Sequence, residues 1–220
     1  MKVNFNLSSL FSKKIKSEYS GTLEIKWLKG KKVLNTKNAN YSYGPLHEIL
    51  RIGLEKTYPN RAGKILVLGL GGGSILELLR KNFSFTGNIT AVEIDSKIIE
   101  IAKKEFKIQQ YEPLQVVCQN AVDFVKTDTH SYETLIVDLF INTQIPKPFL
   151  EVDFWQQTTK LLQPDAVIIF NAGIKNAHQA AVDLLIEQIA PLISFKKLEA
   201  VNGVNTLLLG KRMVENKKPR

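Results

Sequence analysis

Two short segments carry residues whose types and spacing suit ligand binding. Gly69, Gly71 and Gly73 lie in a glycine-rich run that directly follows an apolar stretch, and Glu93 ends the next apolar stretch. Glycines let a ligand approach the backbone closely, and a carboxylate can accept hydrogen bonds from two vicinal ribose hydroxyls. The pattern therefore predicts a site for a nucleoside-containing ligand.

The glycine spacing narrows the choice of ligand. The run Gly-Leu-Gly-Gly-Gly-Ser ends on Ser74, where the dinucleotide pattern G-x-G-x-x-G requires a glycine for tight helix packing. The spacing G-x-G-x-G suits S-adenosylmethionine, which has no phosphate. Glu93 would also repel a 2′-phosphate, so the sequence favours S-adenosylmethionine over NAD and especially over NADP.

Three further polar residues follow predicted strands. Asp138 ends an apolar strand and is the predicted catalytic residue, either as a base or as a substrate anchor. The alternative is that Asp138 only caps a nearby turn. Asn120 could cap a short helix and could also bind the adenine edge, and these two roles are compatible. Asp95 either caps the helix that follows it or contacts the cofactor.

The elements that must position these residues alternate along the chain from residue 64 onward. Apolar runs predict strands, and periodic segments between them predict helices. The predicted strands are 64–69, 88–93, 114–118, 133–138 and 165–171, and the predicted helices are 73–82, 96–106, 120–126, 151–162 and 176–190. Asn202-Gly203 predicts a final antiparallel pair, which is typical of methyltransferase sheets, and residues 22–35 predict an N-terminal β-hairpin turning at Gly30. The fold class is therefore α/β.

The composition limits the remaining function classes. The 220 residues, 44% of them hydrophobic, suffice for one sizeable core. The single cysteine, Cys118, sits in an apolar stretch and is interpreted as a buried strand residue in a reducing compartment. The three histidines lack metal-ligand spacing, so no metal is expected. We find neither a signal peptide nor a membrane-spanning stretch, and expect a soluble, cytoplasmic protein that does not act on membranes.

The net charge of +9 lies at the ends of the chain. Residues 1–37 carry +7 and residues 211–220 carry +4, while the middle carries −2. Basic arms can bind nucleic acid, but few aromatic residues are interleaved with these charges. Solvated termini are therefore the preferred interpretation, and nucleic acid is not an expected partner.

With these motifs in order, the chain resembles the spermidine synthase-like branch of class I S-adenosylmethionine-dependent methyltransferases over residues 20–210. The resemblance rests on the hairpin, the Tyr-rich entry to the first helix, Val-Leu-Gly-Leu-Gly-Gly-Gly, Glu-Ile-Asp and the Val-Asp strand end. It implies a Rossmann-like seven-stranded methyltransferase sheet and a bound S-adenosylmethionine or its decarboxylated form. It also implies that Gly69, Gly71, Gly73, Glu93 and Asn120 bind this cofactor.

The chain departs from the aminopropyltransferases of that branch at two acidic positions. Gly72 stands where their glycine loop has Asp, and Ile141 stands where their catalytic loop has its second Asp. A polyamine carries several positive charges, and a binding site needs several carboxylates to replace the water that hydrates them. The absence of these two acids therefore argues against a polyamine substrate. The leading hypothesis is a methyltransferase acting on an unknown small molecule. The alternatives are an aminopropyltransferase with altered amine contacts, a non-catalytic cofactor-binding homologue and, ranked last, a dinucleotide-dependent oxidoreductase.

The predicted organisation is an N-terminal β-hairpin extension over residues 1–45, a methyltransferase-like domain over 46–212 and a basic tail over 213–220. The expected partner is a small-molecule acceptor. Homodimer formation stays open.

Overall fold

The computed structural model describes residues 12–214, except 29, 37–39, 43–44, 175–176 and 204. Most of the predicted basic tail and the first part of the predicted N-terminal extension therefore lie outside the described residues. The strands are β1 Lys13–Lys16, β2 Thr22–Leu28, β3 Lys31–Asn35, β4 Asn40–Ser42, β5 Lys64–Leu68, β6 Asn88–Glu93, β7 Leu114–Cys118, β8 Tyr132–Val137, β9 Leu162–Ile174, β10 Ile193–Val201 and β11 Asn205–Arg212. The helices are α1 Pro45–Thr57, α2 Ser74–Glu77, α3 Ser96–Phe106, α4 Ala121–Thr127, α5 Val152–Lys160 and α6 Gln179–Ile189.

A seven-stranded sheet in the order β10-β11-β9-β8-β5-β6-β7 forms the centre of the fold. Strands β5 to β9 run parallel, and β11 pairs antiparallel with both β9 and β10. The chain leaves β5 toward β6 and β7 on one side and returns to β8 on the other, which creates a topological switch point. Ligands of open α/β sheets bind outside the carboxyl ends of the strands at such a point. The predicted Rossmann-like seven-stranded methyltransferase sheet is confirmed.

Two apolar cores cover the two faces of this sheet, as the apolar strands require. Alternate side chains of β5 point to opposite faces, so Val67 belongs to one core while Leu66 and Leu68 belong to the other. Helices α1, α2 and α3 pack in the first core, and α4, α5 and α6 pack in the second. Trp155 of α5 is fully buried in the second core.

The N-terminal segment forms a four-stranded antiparallel sheet in the order β1-β2-β3-β4. The predicted hairpin corresponds to β2 and β3 and is confirmed, with Gly30 at a φ of 77° beside the turn. Strands β1 and β4 were not predicted, because one is short and basic and the other has only three residues. Lys13 and Lys32 both bind Glu105 of α3, at 3.3 and 3.0 Å, so this sheet is attached to the central domain.

Three local features differ from the sequence prediction. The helix predicted over 73–82 is a four-residue α2 followed by a π-helical turn, Leu78–Asn82. The strand predicted over 165–171 extends to both sides as β9. The interpretation of Cys118 as buried is wrong, because β7 is the edge strand of the sheet and its last residue is exposed.

Among the described residues, no helix is both long and apolar enough to cross a membrane. The predicted domain boundaries at 45 and 212 stay predictions.

Candidate active site

The carboxyl ends of four neighbouring strands border one cavity of about 440 Å³. Gly69 follows β5, Glu93 ends β6, Asp138 follows β8, and Asn171 lies near the end of β9. The cavity is also lined by Gly71, Asp95, Asn120 and Asn205. A volume of this size lies in the range of small-molecule sites. The structure therefore brings Gly69, Gly71, Glu93, Asn120 and Asp138 to one place, as the sequence predicts.

The bend after β5 depends on glycine. Gly69 has a φ of 95°, and a Cβ there would lie 2.2 Å from the carbonyl oxygen of Asp138. No other residue fits this position without moving the adjacent strand end. Gly73 has a φ of 84°, and a Cβ there would lie 2.5 Å from Cγ2 of Ile108. Gly73 is outside the cavity lining, so its visible role is the close packing at the start of α2, and its predicted cofactor contact stays a prediction.

Glu93 is held by the backbone around it. Its Oε2 accepts a hydrogen bond from the Gly71 N–H at 3.1 Å, and its Oε1 accepts one from the Asp95 N–H at 3.1 Å. Burial raises the pKa of Glu93, and these backbone hydrogen bonds counteract that rise. A carboxylate has about four acceptor positions, so Glu93 retains capacity for hydroxyl groups of a ligand.

Asp95 and Asn120 act as helix caps at the same edge. Asp95 Oδ1 accepts from the Lys97 N–H at 2.8 Å and caps α3, and Asn120 Oδ1 accepts from the Val122 N–H at 2.9 Å and caps α4. Both predicted capping roles are confirmed. Both residues also line the cavity, so the cap does not remove either side chain from a ligand.

The Asp138 carboxylate accepts a hydrogen bond from a side-chain amide rather than from the backbone. Its Oδ1 accepts a hydrogen bond from Asn171 Nδ2 at 2.9 Å. Burial raises the pKa of Asp138, the Asn171 hydrogen bond lowers it and the charge of Glu93 raises it, and together they bring this pKa to about 6. The carboxylate is thus ionised at neutral pH but titrates within the range of a useful base.

Asn171 is itself oriented by two donors. Its Oδ1 accepts from the Gly173 N–H at 3.2 Å and from Asn205 Nδ2 at 3.0 Å. Because the oxygen is engaged on that side, the amide nitrogen faces Asp138. Sequence reasoning missed both asparagines. A polar residue directly after the apolar run Ala166–Phe170 was the available signal for Asn171, since Glu93 and Asp138 follow the same pattern.

An apolar wall stands beside Asp138. Leu139, Phe140, Ile141 and Phe149 line the cavity, and Ile141 is 39% exposed. The described lining contains three carboxylates, those of Glu93, Asp95 and Asp138, and no Lys, Arg or His side chain. This charge distribution favours a ligand that carries positive charge near Asp138. The described residues also contain no group of His, Cys, Asp and Glu side chains arranged to hold a metal ion.

The chain matches the spermine/spermidine synthase domain over residues 47–202. The chain belongs to this family. The resemblance inferred from the glycine run and the two strand ends is therefore confirmed, and the matched segment contains every predicted site residue.

Two groups of relatives match the chain. It is 32% identical to polyamine aminopropyltransferase 2 of Aquifex aeolicus over 136 residues, which cover 58% of this chain and 27% of that protein. It is 27% identical to the human eEF1A lysine and N-terminal methyltransferase over 161 residues, which cover 66% of this chain and 22% of that protein. The match thus spans about a quarter of the length of these relatives.

Solved structures show the same fold. A probable spermidine synthase from Corynebacterium glutamicum superimposes with a TM-score of 0.75 at 13% identity, covering 92% of this chain and 80% of that one. Human methyltransferase-like protein 13, solved in complex with SAH, superimposes with a TM-score of 0.61 at 23% identity, covering 81% and 86%.

Proposed function

We propose that this chain is an S-adenosylmethionine-dependent methyltransferase of the spermidine synthase-like type that acts on a small molecule. The observation that carries the proposal is that Glu93 and Asp138, on different strands, line one cavity. Glu93 sits against the glycine bend, and Asp138 lies close enough for the Glu93 charge to raise its pKa. This arrangement provides a binding acid and a separate titratable acid within one small-molecule site.

The lining residues fit an adenosyl cofactor. Glu93 would accept hydrogen bonds from the ribose hydroxyls, and Asn120 would bind the adenine edge. The backbone of the bend at Gly69 and Gly71 would contact the cofactor directly. When bound, S-adenosylmethionine supplies an activated methyl group on a positively charged sulfur. The described lining offers this positive charge three carboxylates and no competing cation.

The residues of the chain contribute orientation, exclusion of water and a proton acceptor. Apolar residues such as Phe140 and Ile141 shield the cavity beside Asp138. The cofactor held by Glu93 and Asn120 would supply its methyl carbon to the acceptor nucleophile, and the electrons of the carbon–sulfur bond would stay on sulfur. Asp138, with a pKa of about 6, takes the proton that the acceptor gives up, or anchors the acceptor.

Two positions favour methyl transfer over aminopropyl transfer. Ile141 lines the cavity, so its apolar side chain faces the space where a second acid would bind a polyamine. Gly72 is buried and offers no carboxylate to a cofactor amine. The relatives include proteins named for each reaction, an aminopropyltransferase and a lysine and N-terminal methyltransferase. Decarboxylated S-adenosylmethionine therefore remains the alternative cofactor and aminopropyl transfer the alternative reaction.

Calorimetry tests the cofactor first. We expect binding of S-adenosylmethionine, weaker binding of its decarboxylated form and no binding of NAD. Tighter binding of the decarboxylated form would favour aminopropyl transfer over methyl transfer. Binding of NAD alone would overturn both of these reactions.

A panel of small-molecule acceptors tests the reaction. We expect at least one acceptor to increase the release of S-adenosylhomocysteine from S-adenosylmethionine. Cofactor binding without turnover across a broad panel would instead favour a non-catalytic cofactor-binding homologue.

A further inference from the structure

We infer that the turn between β1 and β2, residues 17–21, forms part of the cofactor site. In this arrangement Tyr19 contacts the adenosine half of the ligand, and Ser17 is the residue that positions Tyr19. The inference rests on the proposed function, because it assumes that an adenosyl ligand occupies the cavity.

One hydroxyl group organises the turn. Ser17 Oγ accepts hydrogen bonds from the Tyr19 N–H at 3.1 Å and from the Ser20 N–H at 2.8 Å. The Ser17 N–H donates to the Gly21 carbonyl oxygen at 2.7 Å, and Gly21 has a φ of 70°. The backbone of the turn is therefore closed around the Ser17 side chain.

The same hydroxyl joins the turn to the Glu93 end of the cavity. Ser17 Oγ donates its proton to Asp95 Oδ2, and the Asp95 N–H donates to Glu93 Oε1. A hydroxyl offers one donor and two acceptor positions, so all three positions of Ser17 are used. Ser17 is 4% exposed and Asp95 is 1% exposed, so this connection is shielded from water.

The remainder of the N-terminal sheet keeps the turn in place. Lys13 of β1 and Lys32 of β3 both bind Glu105 near the end of α3, the helix that Asp95 caps at its start. The sheet thus contacts α3 at both ends, which limits its movement relative to Glu93.

Tyr19 is the side chain that this arrangement presents to the cavity. Tyr19 and Ser20 belong to the cavity lining, and Tyr19 is 40% exposed. An aromatic ring at the wall next to Asp95 can pack against the face of a nucleobase, a contact that does not require a particular hydrogen-bond pattern. The ligand chemistry that it recognises is a purine nucleoside joined to a thioether or sulfonium.

Calorimetry with S-adenosylhomocysteine and with 5′-deoxy-5′-methylthioadenosine, which lacks the amino-acid tail, tests the inference. We expect Tyr19→Ala to weaken both ligands by about tenfold and Tyr19→Phe to retain nearly full affinity. Trp27→Ala is the matched control, because Trp27 is an exposed aromatic residue of the same sheet outside the cavity lining. It should leave both affinities within about twofold of wild type.

A double-mutant cycle tests the positioning role of Ser17. We expect Ser17→Ala to weaken binding by about threefold and Ser17→Thr, which keeps the hydroxyl, to restore it. If Ser17 acts through Tyr19, the variant that combines Ser17→Ala with Tyr19→Ala binds no more weakly than Tyr19→Ala alone. If Ser17→Ala instead lowers the stability of the protein in general, the two losses of affinity add.

Three results would overturn the inference. They are unchanged affinity in folded Tyr19→Ala, a loss restricted to S-adenosylhomocysteine, and additive losses in the double variant. If wild type binds neither ligand, the proposed function itself fails, and that result is distinct from any effect of the variants.

Discussion

Glu93 and Asp138, two of the three carboxylates that line the cavity, are held in different ways. At one end of the cavity, Glu93 accepts hydrogen bonds from the backbone N–H groups of Gly71 and Asp95. At the other end, Asp138 accepts from the side-chain amide of Asn171, which is oriented by Asn205. Backbone donors move only with the chain, whereas side-chain donors can be exchanged by a single substitution. The position of Glu93 therefore depends on the backbone, whereas the environment of Asp138 depends on side chains that a substitution can change.

Removal of Glu93 should have the largest effect on ligand affinity. We expect Glu93→Ala to weaken the binding of both S-adenosylmethionine and S-adenosylhomocysteine by at least ~1.5 kcal/mol, because a charged hydrogen-bond partner is lost. Calorimetry measures both constants. Asp123→Ala is the control, since Asp123 is exposed on α4 and outside the cavity lining. An unchanged constant would reject the ribose-binding role of Glu93.

Substitution of Asp138 should affect only the charged ligand. S-adenosylmethionine carries a positive sulfur and S-adenosylhomocysteine does not, so the ratio of their affinities reports the charge at Asp138. We expect this ratio to rise as the pH increases through about 6 in wild type. In Asp138→Asn the ratio should be lower, by about fivefold above that pH, and should not vary with pH. If the affinity ratio of wild type does not change with pH, the Asp138 carboxylate does not interact with the sulfur.

The ligand-free protein gives an independent check on Asp138. Its pKa is raised from 3.8 to about 6, so the folded state holds the proton more tightly than the unfolded state. Asp138 therefore contributes stability at low pH that is lost as the pH rises through about 6. Urea unfolding of Asp138→Asn should lack this loss, and an identical pH profile in both proteins would contradict the burial of Asp138.

Substitutions of Asn171 and Asn205 should have the smallest effects on ligand affinity. The hydrogen bond from Asn171 stabilises the ionised form of Asp138, so Asn171→Leu should raise the pKa of Asp138. Asn205→Leu should raise it less, because Asn205 acts through the orientation of Asn171. The midpoint of the affinity ratio measures both shifts. A larger shift in Asn205→Leu than in Asn171→Leu would contradict this order.

The central fold could be predicted because its signals are local. Each parallel strand is an apolar run, and the two end strands surround the turn signal Asn202-Gly203. The outer parts of the fold were harder. Strand β1 consists of three lysines and one isoleucine, and the exposure of Cys118 depends on which strand ends the sheet.

The site could be predicted where a residue follows an apolar strand directly, as Glu93 and Asp138 do. Contacts between distant segments gave no such signal. Ser17 and Asp95 are 78 positions apart, and Asn171 and Asn205 are 34 apart. Only the folded chain shows that these residues meet, and their roles at the cavity follow from that meeting.

The position of Asn205 on β11 has a consequence for how the protein matures. During synthesis, Asp138 and Asn171 leave the ribosome well before the strand that orients them. Asp138 thus acquires its final environment only when the last sheet strands have docked. A chain that ends before β11 would lack Asn205, and with it the donor that orients Asn171 toward Asp138.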